Sequence, residues 1–413
     1  MKLGYFEKII TPEINIDLVG FVPSRISKSI EKDLFVKVIS LKNNNKYYSW
    51  LVCDLLGLSL YFKQRLLSKL KGNRIILDDL QIFATHTHSG PTCLNEKEYY
   101  NPKTDPKDVA YFDFLVEQSY QAVYLSIENL KTFTYKLGKS QISDFQSNRF
   151  NKDVAYDNQL LIIEVTFFDM QQLLIYSFAG HPTILNNQSY AISPDFVGEV
   201  SLLLRDKYEN NIFFNAPCGE VSSRFTRKES SLKELKRLAK IAASQVLLTC
   251  ENLSDKKVLA NYKVKHLEKL IAYKDFDKKE DIIKQLQKAK TNLEISKQNN
   301  LAYEKLRLLE SKIEGLGVYL ENSQKDFPEF YLMNIYIAYF DGYKVVNIAG
   351  EIFSTLILPL KADDKTWVLA LSDEYQSYLV DKNAFKDKTY EALASLYKVN
   401  EAENLIRDII KKM

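Results

Sequence analysis

Four of the 413 residues are histidine, four are cysteine, and no stretch is long and apolar enough to cross a membrane. Each shortage excludes something. A spanning helix needs ~18 or more uninterrupted apolar residues, and no run approaches that, so only peripheral membrane contact stays open. Cys53, Cys93, Cys218 and Cys250 lie far apart with no CxxC, which argues against a disulfide framework and a cysteine zinc site. Reduced thiols in a reducing compartment fit this usage. The opening residues, Met1-Lys2-Leu3-Gly4-Tyr5-Phe6-Glu7-Lys8, carry no apolar h-region, so a cytoplasmic protein without a secretory signal is expected, export by another route being left open. Charge of neither sign dominates: 56 basic residues against 53 acidic ones leave a net charge of +3 and no electrostatic footprint for nucleic acid. Aromatics are plentiful, with 26 tyrosines and 23 phenylalanines to fill a core or line an apolar cleft.

Hydropathy patterning predicts strands over 34–41 and 46–54, joined at Lys42-Asn43-Asn44-Asn45 as a hairpin, and a further strand over 79–85. A second hairpin is predicted over 159–179, then strands at 211–215, 330–340, 343–349 and 366–371. Helical spacing predicts helices over 58–70, 107–130, 195–208, 230–249, 383–397 and 399–411. Residues 274–323 differ: Lys, Glu and Gln are dense, and Ile282, Leu286, Ala289 and Leu293 recur at helical spacing. This stretch predicts a long helical hairpin broken near Asn299-Asn300, a solvated excursion from the core through which the chain can also dimerise. Strands and helices intermingle from end to end. The fold class expected is therefore α/β, mixed sheets flanked by helices, as one catalytic domain over 1–413 with an inserted helical hairpin.

Two of the four histidines stand two positions apart in Ala84-Thr85-His86-Thr87-His88-Ser89-Gly90-Pro91. If the strand continued through them, residues i and i+2 would share a face and present both imidazoles to one metal or acid/base site. His181, in Gly180-His181-Pro182-Thr183, also follows an apolar strand and precedes a turn, and Glu351 follows Val345–Gly350 in the same way. Two histidines and one carboxylate make an ordinary catalytic zinc set, although each residue alone reads more simply as a turn or solvated group. Ser222 follows the Pro217-Cys218-Gly219 loop without a GxSxG elbow, so it reads as a loop hydroxyl, a nucleophile or an oxyanion donor. His266 lies in a Lys-rich stretch and receives no role.

The segment Thr85–Pro91 resembles the signature of the neutral (alkaline, non-lysosomal) ceramidase family, and further matches follow in that family's order. They are Ile10–Phe21, Asn148-Arg149, Gly180–Thr183, Ile192–Gly198, Asn215–Ser222, Gly350–Phe353, Tyr375–Tyr378 and Tyr390-Glu391-Ala392. The resemblance covers about residues 4–250 and 330–398. It implies one Zn2+ per chain held by His86, His181, Glu351 and Tyr378, with His88 beside the metal as acid/base. Arg149 and Tyr390 would bind the substrate amide and its developing oxyanion, and Ser222 matches the residue assigned as nucleophile, direct attack by metal-activated water being the alternative. The implied reaction is hydrolysis of N-acylsphingosine or a related N-acyl amide to a fatty acid and an amine. A smaller non-sphingolipid substrate for a zinc amidase or esterase, and a non-catalytic lipid-binding member, are the other readings. Departures from the family pattern are Thr92-Cys93 where two glycines are usual, Glu220 for aspartate, Ser223 where a proline is usual, and Leu379-Val380-Asp381 where threonines are usual. No C-terminal immunoglobulin-like domain is expected.

Overall fold

The structure, a computed structural model, describes residues 1–94 and 105–413. Along the chain run β1 (Lys2–Ile9), β2 (Phe35–Asn43), β3 (Lys46–Cys53), α1 (Leu60–Gly72), β4 (Asp79–Ala84), α2 (Pro106–Glu128), β5 (Lys131–Gln141), β6 (Gln159–Phe167) and β7 (Gln172–Phe178). Then follow α3 (Phe196–Leu204), β8 (Asn210–Asn215), α4 (Leu232–Thr249), β9 (Tyr262–Ala272), α5 (Lys279–Gln298), α6 (Tyr303–Asn322), β10 (Phe330–Phe340), β11 (Tyr343–Ile348), β12 (Thr366–Leu369), α7 (Lys382–Asp387), α8 (Tyr390–Ala394) and α9 (Glu401–Lys412).

Period-two burial sorts these strands into two mixed sheets. The larger has the order β8-β7-β6-β5-β1-β2-β3-β4, antiparallel except for the outer pairs β7–β8 and β3–β4. The smaller has the order β9-β10-β11-β12, with β11–β12 parallel. Alternate residues of each strand face opposite ways. Leu3, Tyr5, Tyr48, Phe83, Leu161 and Phe214 of the large sheet meet Ala338, Phe340, Val345, Trp367 and Leu369 of the small one in a single apolar layer. The opposite face of the large sheet buries against α1 and α2 at one end and α3 and α4 at the other. The outer face of the small sheet buries Met333, Ile335 and Ile337 against Leu405, Ile406 and Ile409 of α9. The result is four layers, helix on sheet on sheet on helix, each full burial of a Leu, Ile or Phe contributing about 1.5–3 kcal/mol.

Three strands lie outside the patterning expected from sequence: β1, β5 and β9. In β9, Lys263, Lys265 and Lys269 interleave with apolar residues, which suits an edge strand and keeps that edge from pairing with another chain. His266 stands on this strand, stacked on Tyr336 with ring centroids 4.7 Å apart and 2.8 Å from Asn334 Oδ1, a structural position. The single helix expected over 383–397 is instead α7 and α8. Lys388 takes the left-handed conformation at φ 50°, ending α7, and Thr389 then caps α8 through the Ala392 N–H.

The polar helical hairpin breaks near Asn299-Asn300, but it is not a free excursion. Ile282, Leu293, Leu316 and Tyr319 form a small core with Leu393 of α8. Gly315 permits the approach of α6 to α8, since a Cβ there would stand 3.0 Å from the Tyr390 Cα. No described helix is long and apolar enough to cross a membrane.

Candidate metal centre and active site

The C-terminal ends of β4, β7, β8, β11 and β12 lie at one end of the two-sheet stack and are stitched together there. Ala84 N–H donates to Leu371 O (3.2 Å), and Ala370 N–H donates to Asn215 O (2.9 Å). The loops leaving these strands carry His86, His88, His181, Ser222, Glu351 and Tyr378, while Arg149 comes from the segment between β5 and β6 and Tyr390 opens α8.

β4 ends at Ala84, so His86 and His88 stand in the loop beyond it and strand alternation does not orient them. His86 has φ 77°, in the left-handed region that costs a non-glycine residue about 1–3 kcal/mol. Backbone ties hold it there: His86 N–H donates to Leu55 O (2.8 Å), and its Nδ1 lies 2.7 Å from Leu56 O. A carbonyl only accepts, so Nδ1 carries the proton and the Nε2 lone pair is exposed to the site. That lone pair faces Glu351 Oε2 at 3.1 Å. Both atoms are buried without a hydrogen-bond partner.

Glu351 is delivered by Gly350, whose φ of 84° turns the chain after β11; a Cβ there would meet Ser377 O at 2.7 Å. The short pairing of Glu351–Ile352 with Tyr378–Leu379 then sets Tyr378 beside Glu351. Tyr375 donates to Glu351 Oε1 at 2.5 Å. Burial pushes the Glu351 carboxyl upward; positive charge on the His86 side, the Tyr375 hydroxyl and the Arg149 charge push it down and keep it a carboxylate. Burial and the neighbouring His86 lower His88 to about 3, and burial and Arg149 hold His181 well below its ordinary value. At neutral pH Glu351 is thus a carboxylate and His88 and His181 are neutral, protonation states suited to metal ligands.

His181 reaches the same point from β7. Its Nε2 lies 3.1 Å from His88 Nε2 and its Nδ1 lies 3.9 Å from Glu351 Oε2. His86, His88 and His181 each turn one nitrogen into a space where these atoms lie within 4.8 Å of one another, a group that can bind a metal. His88 therefore stands among the histidines rather than apart from them. Phe21 lies against its ring at 4.9 Å between centroids, and Arg25 holds its carbonyl at 2.5 Å.

Arg149 is the hub of the next layer. It donates to Glu391 Oε1 (2.8 Å), His181 Nδ1 (2.8 Å) and Val221 O (3.2 Å), and its Nε is buried without a partner. The pairing of Ser147–Asn148 with Val221–Ser222 brings Ser222 alongside the Arg149 segment. The Tyr378 ring lies 6.0 Å from the guanidinium carbon and 5.8 Å from the Tyr390 ring. Burial and nearby Glu351 keep the Tyr390 hydroxyl protonated. His88, His181, Arg149, Ser222, Tyr378 and Tyr390 line one cavity of about 1500 Å³, with His86 and Glu351 buried behind them. Helix α6 and the end of α5 form its far wall.

Several positioning residues carry no sequence signal of their role. Asn215 bridges the two histidine loops: Oδ1 accepts from Gly180 N–H (3.1 Å) and Nδ2 donates to Gly180 O (2.7 Å) and Thr85 O (3.2 Å). Gln146 accepts the His181 N–H at 3.1 Å. Glu220 has a structural task. Its carboxylate accepts from Ser354 N–H (2.7 Å), Ser354 Oγ–H (2.6 Å) and Thr355 N–H (3.0 Å), fixing the segment that follows Glu351. Cys93 packs into the core beside α1 and α2, away from the cavity.

The neutral ceramidase of Pseudomonas aeruginosa superposes with a TM-score of 0.74 over 99% of this chain and 73% of that one, at 13% identity. The fold is that of the neutral ceramidases. A ceramidase solved in complex with C2 matches with a TM-score of 0.73, over 98% of this chain and 73% of that one, at 14% identity. In sequence, the chain resembles the neutral ceramidases of Drosophila pseudoobscura pseudoobscura and Drosophila melanogaster, each 22% identical over 232 residues. Those matches take in 51% of this chain and 33% of each relative, so the chain matches about a third of the length of these curated neutral ceramidases. No family model matches the chain.

Proposed function

We propose that the protein is a zinc-dependent hydrolase of N-acyl amides, acting on N-acylsphingosine or a related compound to release a fatty acid and an amine. The observation that carries this reading is the 3.1 Å opposition of His86 Nε2 and Glu351 Oε2, two buried acceptors that repel unless a cation or proton lies between them. The neutral ceramidase names of the similar proteins point to the same chemistry.

His86, Glu351, His181 and Tyr378 would hold the ion, one per chain. When bound, zinc supplies Lewis-acid polarisation of the scissile carbonyl. The remaining work falls to the chain. Arg149, with its unpartnered Nε, donates to the carbonyl oxygen as negative charge builds there, and the protonated Tyr390 hydroxyl donates beside it. Ser222 Oγ adds to the carbonyl carbon while neutral His88 accepts its proton. His88 returns that proton to the departing amine, and water then releases the fatty acid from Ser222. Phe150, Phe353 and Leu308 on the cavity wall suit an acyl chain.

The test is direct. Purified protein is assayed for metal and incubated with N-acylsphingosine and with short N-acyl amides, products being followed by mass spectrometry. One zinc per chain and metal-dependent release of fatty acid are expected. A protein that binds no metal, or whose turnover survives its removal, overturns the reading.

A further inference from the structure

We infer that the substrate of this cavity carries an anionic group, carboxylate or phosphate, on its amine half, recognised by Arg224. The inference rests on the N-acyl amide reading above and narrows its substrate class.

Arg224 belongs to the loop that carries Ser222, and its backbone N–H donates to Ser222 Oγ at 3.2 Å. Its side chain turns into the cavity. Its two hydrogen bonds both go to neutral acceptors, the Arg149 carbonyl (2.9 Å) and the Ser311 hydroxyl on α6 (3.3 Å). Among the described residues, no carboxylate pairs with it. Glu391 is close enough to attract Arg224 but pairs through Oε1 with Arg149 at 2.8 Å, and Glu310 and Glu314 pair with Arg307 at 3.2 and 2.9 Å. Burial, with Arg149 and Arg307 close by, lowers Arg224 to about 10, which leaves it cationic at neutral pH.

A largely buried cation with no directly paired carboxylate, and with Arg149 and Arg307 close by, is unfavourable in the free protein. A ligand anion removes that cost and meets a planar fork of donors that suits carboxylate and phosphate oxygens. In an N-acyl compound the acyl chain is apolar, so the charge belongs to the amine half, close to the scissile bond as Arg224 is close to Ser222. The plain alternative is that Arg224 only ties the Ser222 loop to α6 through Ser311.

Three amides with one acyl chain separate these ideas: N-dodecanoylglycine, N-dodecanoyl phosphoethanolamine and N-dodecanoylethanolamine. Wild-type kcat/KM is expected to favour one or both anionic amides over the neutral one by about tenfold or more, and whichever is preferred tells carboxylate from phosphate. R224M is expected to lose about 10- to 100-fold on the preferred anion while changing by less than about threefold on the neutral amide, with R224K between. No anionic preference, or an equal fall on all three amides in R224M, overturns the proposal. Calorimetric binding of the ketone isosteres, which have no amide bond to cleave, keeps the two readings apart. Arg224-dependent anion binding without turnover of any amide overturns hydrolysis and supports this inference. Turnover of the neutral amide with no anionic preference does the reverse.

Discussion

His86 Nε2 and Glu351 Oε2 face each other at 3.1 Å with neither bonded to hydrogen elsewhere. The Leu56 carbonyl fixes the histidine tautomer, and Tyr375 occupies the other carboxylate oxygen. Two acceptors held this way make a place for a cation. Glu351→Ala is therefore expected to reduce bound zinc from about one per chain to near none and to abolish turnover, a metal-site function for which the loss is total rather than graded. Metal analysis of the purified variant checks it. Retained zinc would remove Glu351 from the site.

Ser222→Ala tests the nucleophile. If Ser222 carries the acyl group, kcat is expected to fall by about 10²–10⁴-fold with zinc content unchanged, and wild type should yield an acylated Ser222 on rapid quenching. A variant that keeps wild-type kcat would transfer the attack to water.

Asn215 should matter without touching substrate. Asn215→Ala leaves Gly180 N–H, Gly180 O and Thr85 O without their partner, in a residue that is 0% exposed. A loss of about 2–4 kcal/mol in unfolding free energy is expected. Zinc affinity is expected to fall by about 10- to 100-fold because both histidine loops lose a common anchor. Denaturant titration and competitive chelation measure the two effects. A fall in stability alone would confine Asn215 to the scaffold.

A pH effect is expected away from the site. Glu234, in the first turn of α4, pairs with Arg237 at 2.6 Å and accepts from Lys228 N–H at 2.8 Å, and these contacts lower its pKa from 4.5 to about 2. The folded carboxyl releases its proton more readily than the unfolded one, so its stabilisation is present above pH 4.5 and is lost as pH falls toward 2. Glu234→Gln is expected to cost about 1 kcal/mol at neutral pH, discounted for the exposed arginine. Denaturation midpoints of variant and wild type should converge in acid; a gap independent of pH would assign the cost to packing.

Much of this arrangement was legible in the chain. Apolar strands ending in glycine or a turn mark where His86, His181 and Glu351 leave the sheets, because a strand between two packed layers must be apolar and the loop beyond it is free to be polar. The ordered short motifs carried the likeness to the neutral ceramidases, which the fold shares. The hairpin, by contrast, read as a solvated excursion because its surface is polar. A polar helix face turned to a charged cavity has the same composition as one turned to bulk water. The two histidines also read as a strand pair, whereas β4 ends at Ala84 and the left-handed turn at His86 orients them.

Most of the strand and helix pattern, though not β1, β5, β9 or the break between α7 and α8, and the short list of residues able to hold a metal or attack a carbonyl can be read from the chain alone. Those follow from local periodicity and side-chain chemistry, which need no knowledge of what lies across space. Packing in three dimensions sets His86 opposite Glu351, couples two histidine loops through Asn215, and turns Arg224 to the cavity with no directly paired carboxylate among the described residues. Each is a relation between segments far apart in the chain, set by sheet order and by which strand ends meet, and no window of sequence contains it.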